Sequence, residues 1–367
     1  MWLRELEADR LRNLKAVSIG LSAGLTFVVG RNGQGKSSLL EAAYLLGTGR
    51  SFRTRRQNEL VCRDGGPCRI AGVVDARVGS SRLAVHMDDG ERHLVADGSA
   101  QELGAYLGRL DLVDLTSERM KVLKGGPDER RRFLDRGVVG LTPGYLDHLG
   151  ALRRILGHRN TLLRKGGAGQ KAQLDAWDER LISVAAAVHR ERRRYAVRIA
   201  AMLGEIGRLL LPDDQELRLI YQASPRRAGE ADPGRFEEVF GEALRTGRGR
   251  DMDVGHTCVG PHRDDLKVEL QGADLRSFGS AGQVRAAMIS LKLAKLSLLR
   301  EERGEAPLFL MDDFDSDLDE ARALAVAEHL HAGGFQTLAA SSKESLIGQL
   351  GISFSRLRMD AGVARAE

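Results

Sequence analysis

The chain has 367 residues, 42% hydrophobic and 29% charged, which excludes a disordered polar chain and leaves room for two domains. Its net charge of +5 favours a polyanionic partner only mildly, and no apolar run approaches the roughly 18 residues of a membrane span. Cys62, Cys68 and Cys258 show no metal-ligand spacing and Arg4-Glu5 interrupts any leader-like start, so a reduced, cytoplasmic protein without structural disulfides is expected.

Residues 3–8, 15–21 and 25–29 are predicted as short strands separated by polar or glycine turns. The last runs into Gly30-Arg31-Asn32-Gly33-Gln34-Gly35-Lys36-Ser37-Ser38, the spacing G-x-x-x-x-G-K-S between an apolar strand and a helix start. Gly30, Gly33 and Gly35 let the backbone curl so that successive N–H groups point into one concavity. The helix dipole adds positive potential there, Lys36 reaches the β- and γ-phosphates, and the Ser37 hydroxyl is placed to ligate Mg²⁺. The pattern is that of a nucleoside-triphosphate site for ATP and Mg²⁺. Its helix is expected to end at Gly47-Thr48-Gly49. Strands are predicted around 70–76, 82–87 and 91–96, with a hairpin at Asp88-Asp89-Gly90, all in a mixed sheet around the nucleotide site.

A change of period follows. Thr142-Pro143 reads as a helix start, and Leu146, Leu149, Leu152, Ile155 and Leu156 form one stripe, broken at Gly166-Gly167-Ala168-Gly169. In a second helix Leu174, Leu181, Val188, Tyr195, Met202 and Leu209 recur every seven residues. Trp177 and Val184 start a companion seam that Glu191, Arg198 and Glu205 do not continue, so a short antiparallel hairpin is expected instead of a long coiled coil. Beyond Pro212 come a strand at 216–221, a surface connection over 223–233, and strands near 265–270, 307–311 and 335–340 that are expected to rejoin the sheet.

Pro307 to Met311 is the apolar run of a buried strand, and it ends in Asp312-Asp313. Paired with the phosphate loop this is a Walker B pattern, in which Asp312 holds the metal and Asp313 polarises the attacking water. Upstream lies Ser277-Phe278-Gly279-Ser280-Ala281-Gly282-Gln283 before a helical stretch. That order, with Ser280, Gly282 and Gln283 facing phosphate at a helix N-terminus, is seen in ATP-binding-cassette ATPases. There the serine contacts ATP held by the opposite subunit. Five arginine clusters (Arg53 to Arg56, Arg130 to Arg132, Arg153-Arg154, Arg192 to Arg194 and Arg226-Arg227) raise the expectation of nucleic acid. Arg131 and Arg193 are the candidate contacts.

Over nearly its whole length the chain resembles the RecF family of recombination-mediator ATPases, in the SMC-like branch. The resemblance rests on Leu11-Arg12-Asn13-Leu14, the phosphate loop with Leu39-Leu40-Glu41-Ala42, and Gly49-Arg50-Ser51-Phe52-Arg53. It continues in Lys124 to Pro127, Arg130 to Asp135, and Gly260-Pro261-His262-Arg263-Asp264-Asp265-Leu266. What it implies is an α/β fold: an ABC-type P-loop ATPase head over 1–115 and 236–367, with a helical lobe inserted at 116–235. It further implies Arg12 at the nucleotide, an ATP-dependent homodimer, slow ATP hydrolysis, DNA binding at single-strand/double-strand junctions, and work with RecR and RecO in DNA repair. Three departures stand out. Ser37-Ser38 replaces the usual threonine-asparagine, Asp315 replaces a phenylalanine and adds charge near the γ-phosphate, and no switch histidine follows the last strand. A transporter head shares the three motifs, but the wide separation of Lys36 and Ser280 leaves room for a lobe that such a head does not need. An ATP-gated clamp with negligible turnover is the main alternative. A nuclease built on Asp251, Asp253, Asp264 and Asp265 is the weaker one.

Overall fold

A computed structural model gives the fold. It describes residues 1–54, 56–62, 66–88, 90–116, 121–166, 171–212, 214–230, 233–314 and 319–367. The chain divides into two compact units, Met1–Met120 with Glu205–Asp214 and Ser280–Glu367, and Lys121–Gly204 with Gln215–Gly279.

In the first unit β1 (Trp2–Leu11), β2 (Leu14–Gly20), β4 (Cys68–Ala76), β5 (Gly79–Asp88), β6 (Glu91–Ala96) and β7 (Ser99–Gln101) form one antiparallel sheet in the order β2-β1-β4-β5-β6-β7. Along β1 only Leu3, Leu6, Ala8 and Leu11 are buried; the odd steps in this spacing coincide with a register shift between Leu3 and Glu5 and a left-handed Arg10. A second, mixed sheet carries β3 (Leu25–Val29), β8 (Leu112–Leu115), β12 (Leu308–Met311), β13 (Thr337–Ser341), β14 (Ser355–Asp360) and β15 (Val363–Ala366), ordered β15-β14-β3-β13-β12-β8. Its central members β3, β12 and β13 are parallel and buried along their full length, as expected of strands covered on both faces. The helix α1 (Lys36–Thr48) packs against β1, β4 and β5 of the first sheet and β8, β12 and β13 of the second. It is buried at eleven of its thirteen positions because two sheets compete for it. Leu39, Leu40, Leu45 and Leu46 are at most 1% exposed, each worth roughly 1.5–3 kcal/mol of transfer free energy. Strands 70–96, expected from sequence in one mixed sheet around the nucleotide site, belong instead to the separate antiparallel sheet, which packs on α1.

In the second unit α2 (Pro127–Val139), α3 (Tyr145–Lys165), the first 34 residues of α4 (Lys171–Leu210) and α5 (Phe236–Val254) accompany a small antiparallel sheet, β11-β10-β9, made of β9 (Leu217–Gln222), β10 (Asp265–Leu270) and β11 (Ala273–Asp274). The strand at 265–270 thus stays in this unit instead of rejoining the head, and residues 236–279 lie with it. α3 starts at Tyr145 after Gly144 in a left-handed conformation, two residues later than Thr142-Pro143 suggested. That shift turns Tyr145 inward and leaves Leu146 49% exposed. α3 and α4 run antiparallel, tied by Thr142 to Glu191 at one end and by Arg159 to Asp178 at the other. At 40 residues α4 is about 60 Å long. Its companion seam is Asp178, Ala185, Arg192, Ile199 and Ile206, one position on from the expected one. In the first unit α6 (Ala281–Arg303) lies against β8 and α7 (Glu320–Ala332) against β3.

Candidate nucleotide site

The loop between β3 and α1 has φ of 140° at Gly30, 81° at Gly33 and 109° at Gly35. A Cβ at Gly30 would collide with the Met359 carbonyl, so no other residue fits there. No side chain caps α1, so the orphan N–H groups of its first turn remain for a ligand. Lys36 crosses the loop, donating from Nζ to the carbonyls of Gly30 at 2.6 Å and Arg31 at 3.1 Å. Asn13 holds the loop from beneath: its Nδ2 donates to the Gly33 carbonyl at 3.0 Å and its Oδ1 accepts from Ser38 at 2.7 Å. Gln34 is engaged from above by the β14–β15 turn, where the Ala361 N–H donates to its Oε1 at 2.5 Å and the Gly362 N–H to its carbonyl at 3.1 Å. Of the expected nucleotide contacts, Arg31, Asn32 and Gly33 face solvent, whereas Gln34 and Ser38 brace the loop.

Beside the loop is a cavity of about 370 Å³ lined by Arg12, Ser37, Phe52, Arg53, Thr54, Glu59, Thr116, Asp312 and Asp313. The Ser37 hydroxyl donates to Asp312 Oδ1 at 2.9 Å, and the Asp312 N–H donates to the Leu115 carbonyl at 2.9 Å, which fixes it against β8. Burial pushes the Asp312 carboxyl above the usual carboxylate range; the Ser37 hydrogen bond opposes this and the charge of Asp313 adds to it. Asp313 is exposed, with φ of 54°, a left-handed conformation rare outside glycine. Buried Arg285 donates to its carbonyl at 3.2 Å.

A hard cation fits this corner. Ser37 and Asp312 offer oxygen, and Thr116 Oγ1, 2% exposed and lining the same cavity, has no partner among the described residues. Two protein oxygens, with phosphate and water completing the shell, are the usual donor set for Mg²⁺, and Ser37 and Asp312 supply them side by side.

Arg12 lines the cavity, but its guanidinium is committed. Nε and Nη2 donate to the wholly buried Glu41 at 3.0 Å each, and Nη1 donates to the Glu59 carbonyl at 2.7 Å. Ser51 also donates to Glu41, and Arg53 reaches both Glu41 at 3.7 Å and Asp312 at 3.9 Å. In the sequence Asn13, Glu41 and Ser51 stand out only as family markers, and Arg53 only as such and as part of an arginine cluster; their spacing to the loop gives no local signal of this convergence. Thr116 was missed altogether. Asp315 lies outside the described residues.

Ser280 caps α6: its Oγ accepts from the Gln283 N–H at 3.2 Å and its own N–H donates to Gln283 Oε1 at 3.0 Å. Neither these two residues nor Gly282 lines the cavity of their own chain. In the second unit Arg131 donates to the Asp264 carbonyl at 2.7 Å and pairs with Asp128, and Arg193 is half-buried. Three of the four acids weighed for a nuclease are turned to arginines: Asp251 to Arg159, Asp264 to Arg192 and Asp265 to Arg130.

The model of the RecF/RecN/SMC N-terminal domain matches residues 2–363. The chain is 36% identical over 352 residues to the DNA replication and repair protein RecF of Myxococcus xanthus, covering 95% of this chain and 92% of that one. It is 33% identical to RecF of Streptococcus pneumoniae strain D39, with 89% of each covered. Among solved structures it is similar to the recombination mediator protein RecF with ATP in the RecFOR pathway, at 30% identity and a TM-score of 0.86 over all of this chain and 97% of that one. An Smc head bound to the C-winged helix domain of ScpA shares the fold at 18% identity and a TM-score of 0.60, over all of this chain and 97% of that one.

Proposed function

Because the chain belongs to the RecF family, within the class of RecF/RecN/SMC N-terminal domains, we propose that ATP bound at Gly30 to Ser38 closes two copies of its head on DNA at single-strand/double-strand junctions. It is an ATP-binding DNA-repair protein of the RecFOR pathway, with the ATPase fold of its class. RecR and RecO are the partners, in the cytoplasm, in recombinase loading. No described helix is long and apolar enough to cross a membrane.

The observation that carries this proposal is the convergence of Lys36, Ser37, Asp312 and Asp313 around one loop and one cavity, although 275 positions separate the hydrogen-bonded Ser37 and Asp312. Lys36 would exchange its two loop carbonyls for β- and γ-phosphate oxygens, and the first turn of α1 would supply N–H donors. Ser37 and Asp312 would hold Mg²⁺, which when bound neutralises phosphate charge. Asp313 would orient and deprotonate the attacking water. Being one methylene shorter than the usual glutamate, it makes slow turnover the expectation, with hydrolysis resetting the dimer. Arg12 keeps Glu41 and the 51–54 segment in place and so shapes the rim. Lys36→Ala tests the site. It should abolish nucleotide binding followed by a fluorescent ATP analogue, and with it ATP-dependent association measured by light scattering. Association with ATP at wild-type levels in that variant would overturn the assignment.

A further inference from the structure

The string Gly260 to Asp265 is not used by the nucleotide chemistry, yet almost every member is committed inside the second unit. Gly260 has φ of 129°, where a side chain would crowd Phe240 and His262. The Pro261 carbonyl accepts from Arg192 at 2.6 Å. His262 Nε2 lies 3.0 Å from the Thr257 carbonyl. Asp264, 1% exposed, accepts from Arg192 at 2.8 Å, from the Tyr221 hydroxyl at 2.5 Å and from the Ser224 N–H at 2.8 Å. Asp265 takes both nitrogens of a fork from Arg130, at 2.6 and 2.9 Å.

Arg263 alone faces out. Its N–H closes the turn on the Gly260 carbonyl at 2.8 Å, its side chain is exposed, and its guanidinium has no hydrogen bond or ion pair among the described residues. Five anchored neighbours thus display one unpaired cation on a fixed turn, so little backbone entropy remains to be lost when it is engaged and the ordering cost falls on its own side chain. The surroundings are basic. Arg131 touches the carbonyl of the next residue, and exposed Arg250 lies with Arg263 beside Cys258. The nearby acids Asp128 and Asp264 are already paired with Arg131 and Arg192.

We propose that Arg263 is a phosphate contact of the DNA-binding face, with Arg250 extending it and Arg131 adding field from its paired position. This rests on the DNA-binding function proposed above, and it moves the principal contact away from Arg131 and Arg193, which internal packing partly occupies. A planar, permanently charged fork held clear of carboxylates matches a phosphate diester better than a protein carboxylate in a chain of net charge +5.

The test is equilibrium binding of the full-length protein to a junction DNA with ATP, across a salt series. Arg263→Ala should lower affinity about three- to tenfold at moderate salt and make the log–log salt slope shallower by about 0.7–0.9 per lost phosphate contact. Arg263→Lys should recover most of the slope, because a point charge still releases counterions. Arg218→Ala, an exposed arginine paired with Glu216, serves as the control and should leave the slope alone. Circular dichroism and the thermal midpoint should not change in Arg263→Ala, since that exposed guanidinium has no hydrogen bond or ion pair among the described residues. Wild-type binding with an unaltered slope in Arg263→Ala would overturn the proposal. So would an unaltered slope with loss of ATP-dependent association, which would make the turn a contact for a second copy. A wild-type chain that fails to bind any DNA would instead overturn the DNA function itself, and the proposal with it.

Discussion

Asp312 and Asp313 are neighbours in the chain and opposites in environment. Asp312 is buried, bonded to Ser37 and fastened to β8, whereas Asp313 sits exposed on a left-handed residue whose carbonyl Arg285 holds. A carboxylate with a fixed hydroxyl partner suits a metal, and one aimed into open cavity suits a water. Their replacement by asparagine should therefore separate two functions. Asp313→Asn keeps the shape but loses the base, so single-turnover hydrolysis should fall roughly 10²–10⁴-fold with nucleotide affinity little changed. Asp312→Asn should instead weaken nucleotide binding only when Mg²⁺ is present. Hydrolysis at the wild-type rate in Asp313→Asn would assign the base elsewhere. Both acids were legible because an apolar strand points straight at them. Arg12 was only half legible: its position at the site follows from sequence, but its commitment to Glu41 does not, because that pairing depends on a helix and a loop far along the chain.

At the level of elements, the charged residues of α4 decide how the second unit packs. A heptad reading passes over Asp178 and Arg192, since polar side chains argue against a seam. Both are buried because each is met by a partner, Asp178 by Arg159 and Arg248, Arg192 by Asp135 and Asp264. Apolar periodicity alone cannot find a seam held by ion pairs between separate helices. Two histidines in this packing give the unit a pH dependence. Burial pushes His189, stacked on Phe236 at 4.1 Å, down to about 4, helped by Arg193 and Arg192. Burial also pushes His262 down to about 4. Between pH 6.5 and 4 the unfolded chain binds protons that these folded histidines refuse, so their stabilisation is complete above 6.5 and drains as pH falls. Asp264, pushed up to about 6 mainly by burial, works in the opposite direction from pH 6 down to about 4. With two histidines against one aspartate, the urea midpoint should fall between pH 7.5 and 5. His189→Phe keeps a ring on Phe236 and removes one titration while the Asp264 offset stays, so it should reduce that fall by well over half. An equal fall in the variant would place the pH dependence in other groups.

For the whole molecule, the first unit is built from both ends of the sequence, and that much could be foreseen from a phosphate loop near residue 30 and acids near 312. Which unit claims residues 236–279 could not, because the alternation in 265–270 suits an edge of either sheet and only pairing partners decide. The same scale carries the proposed dimer. Ser280, exposed, and the half-buried Gly282 and Gln283 form a finished helix cap, none of them lining the cavity that holds Ser37 and Asp312. A helix N-terminus facing solvent is an anion site in waiting, and two copies related by a two-fold axis would each present it to the other's ATP. Capping and phosphate contact can be told apart. Ser280→Asp preserves an N-cap acceptor for the Gln283 N–H but sets a negative charge where a γ-phosphate would dock. Ser280→Arg removes the cap, which costs about 1 kcal/mol in the helix, and adds bulk at the same point. If Ser280 acts across a dimer, both variants should bind ATP as monomers with near wild-type affinity, and both should fail to associate in light scattering. If Ser280 is only a cap, Ser280→Asp should behave as wild type while Ser280→Arg shows a lowered thermal midpoint. ATP-driven association of Ser280→Asp at the wild-type level would therefore remove the cross-subunit contact, and the second copy's share of the nucleotide site with it.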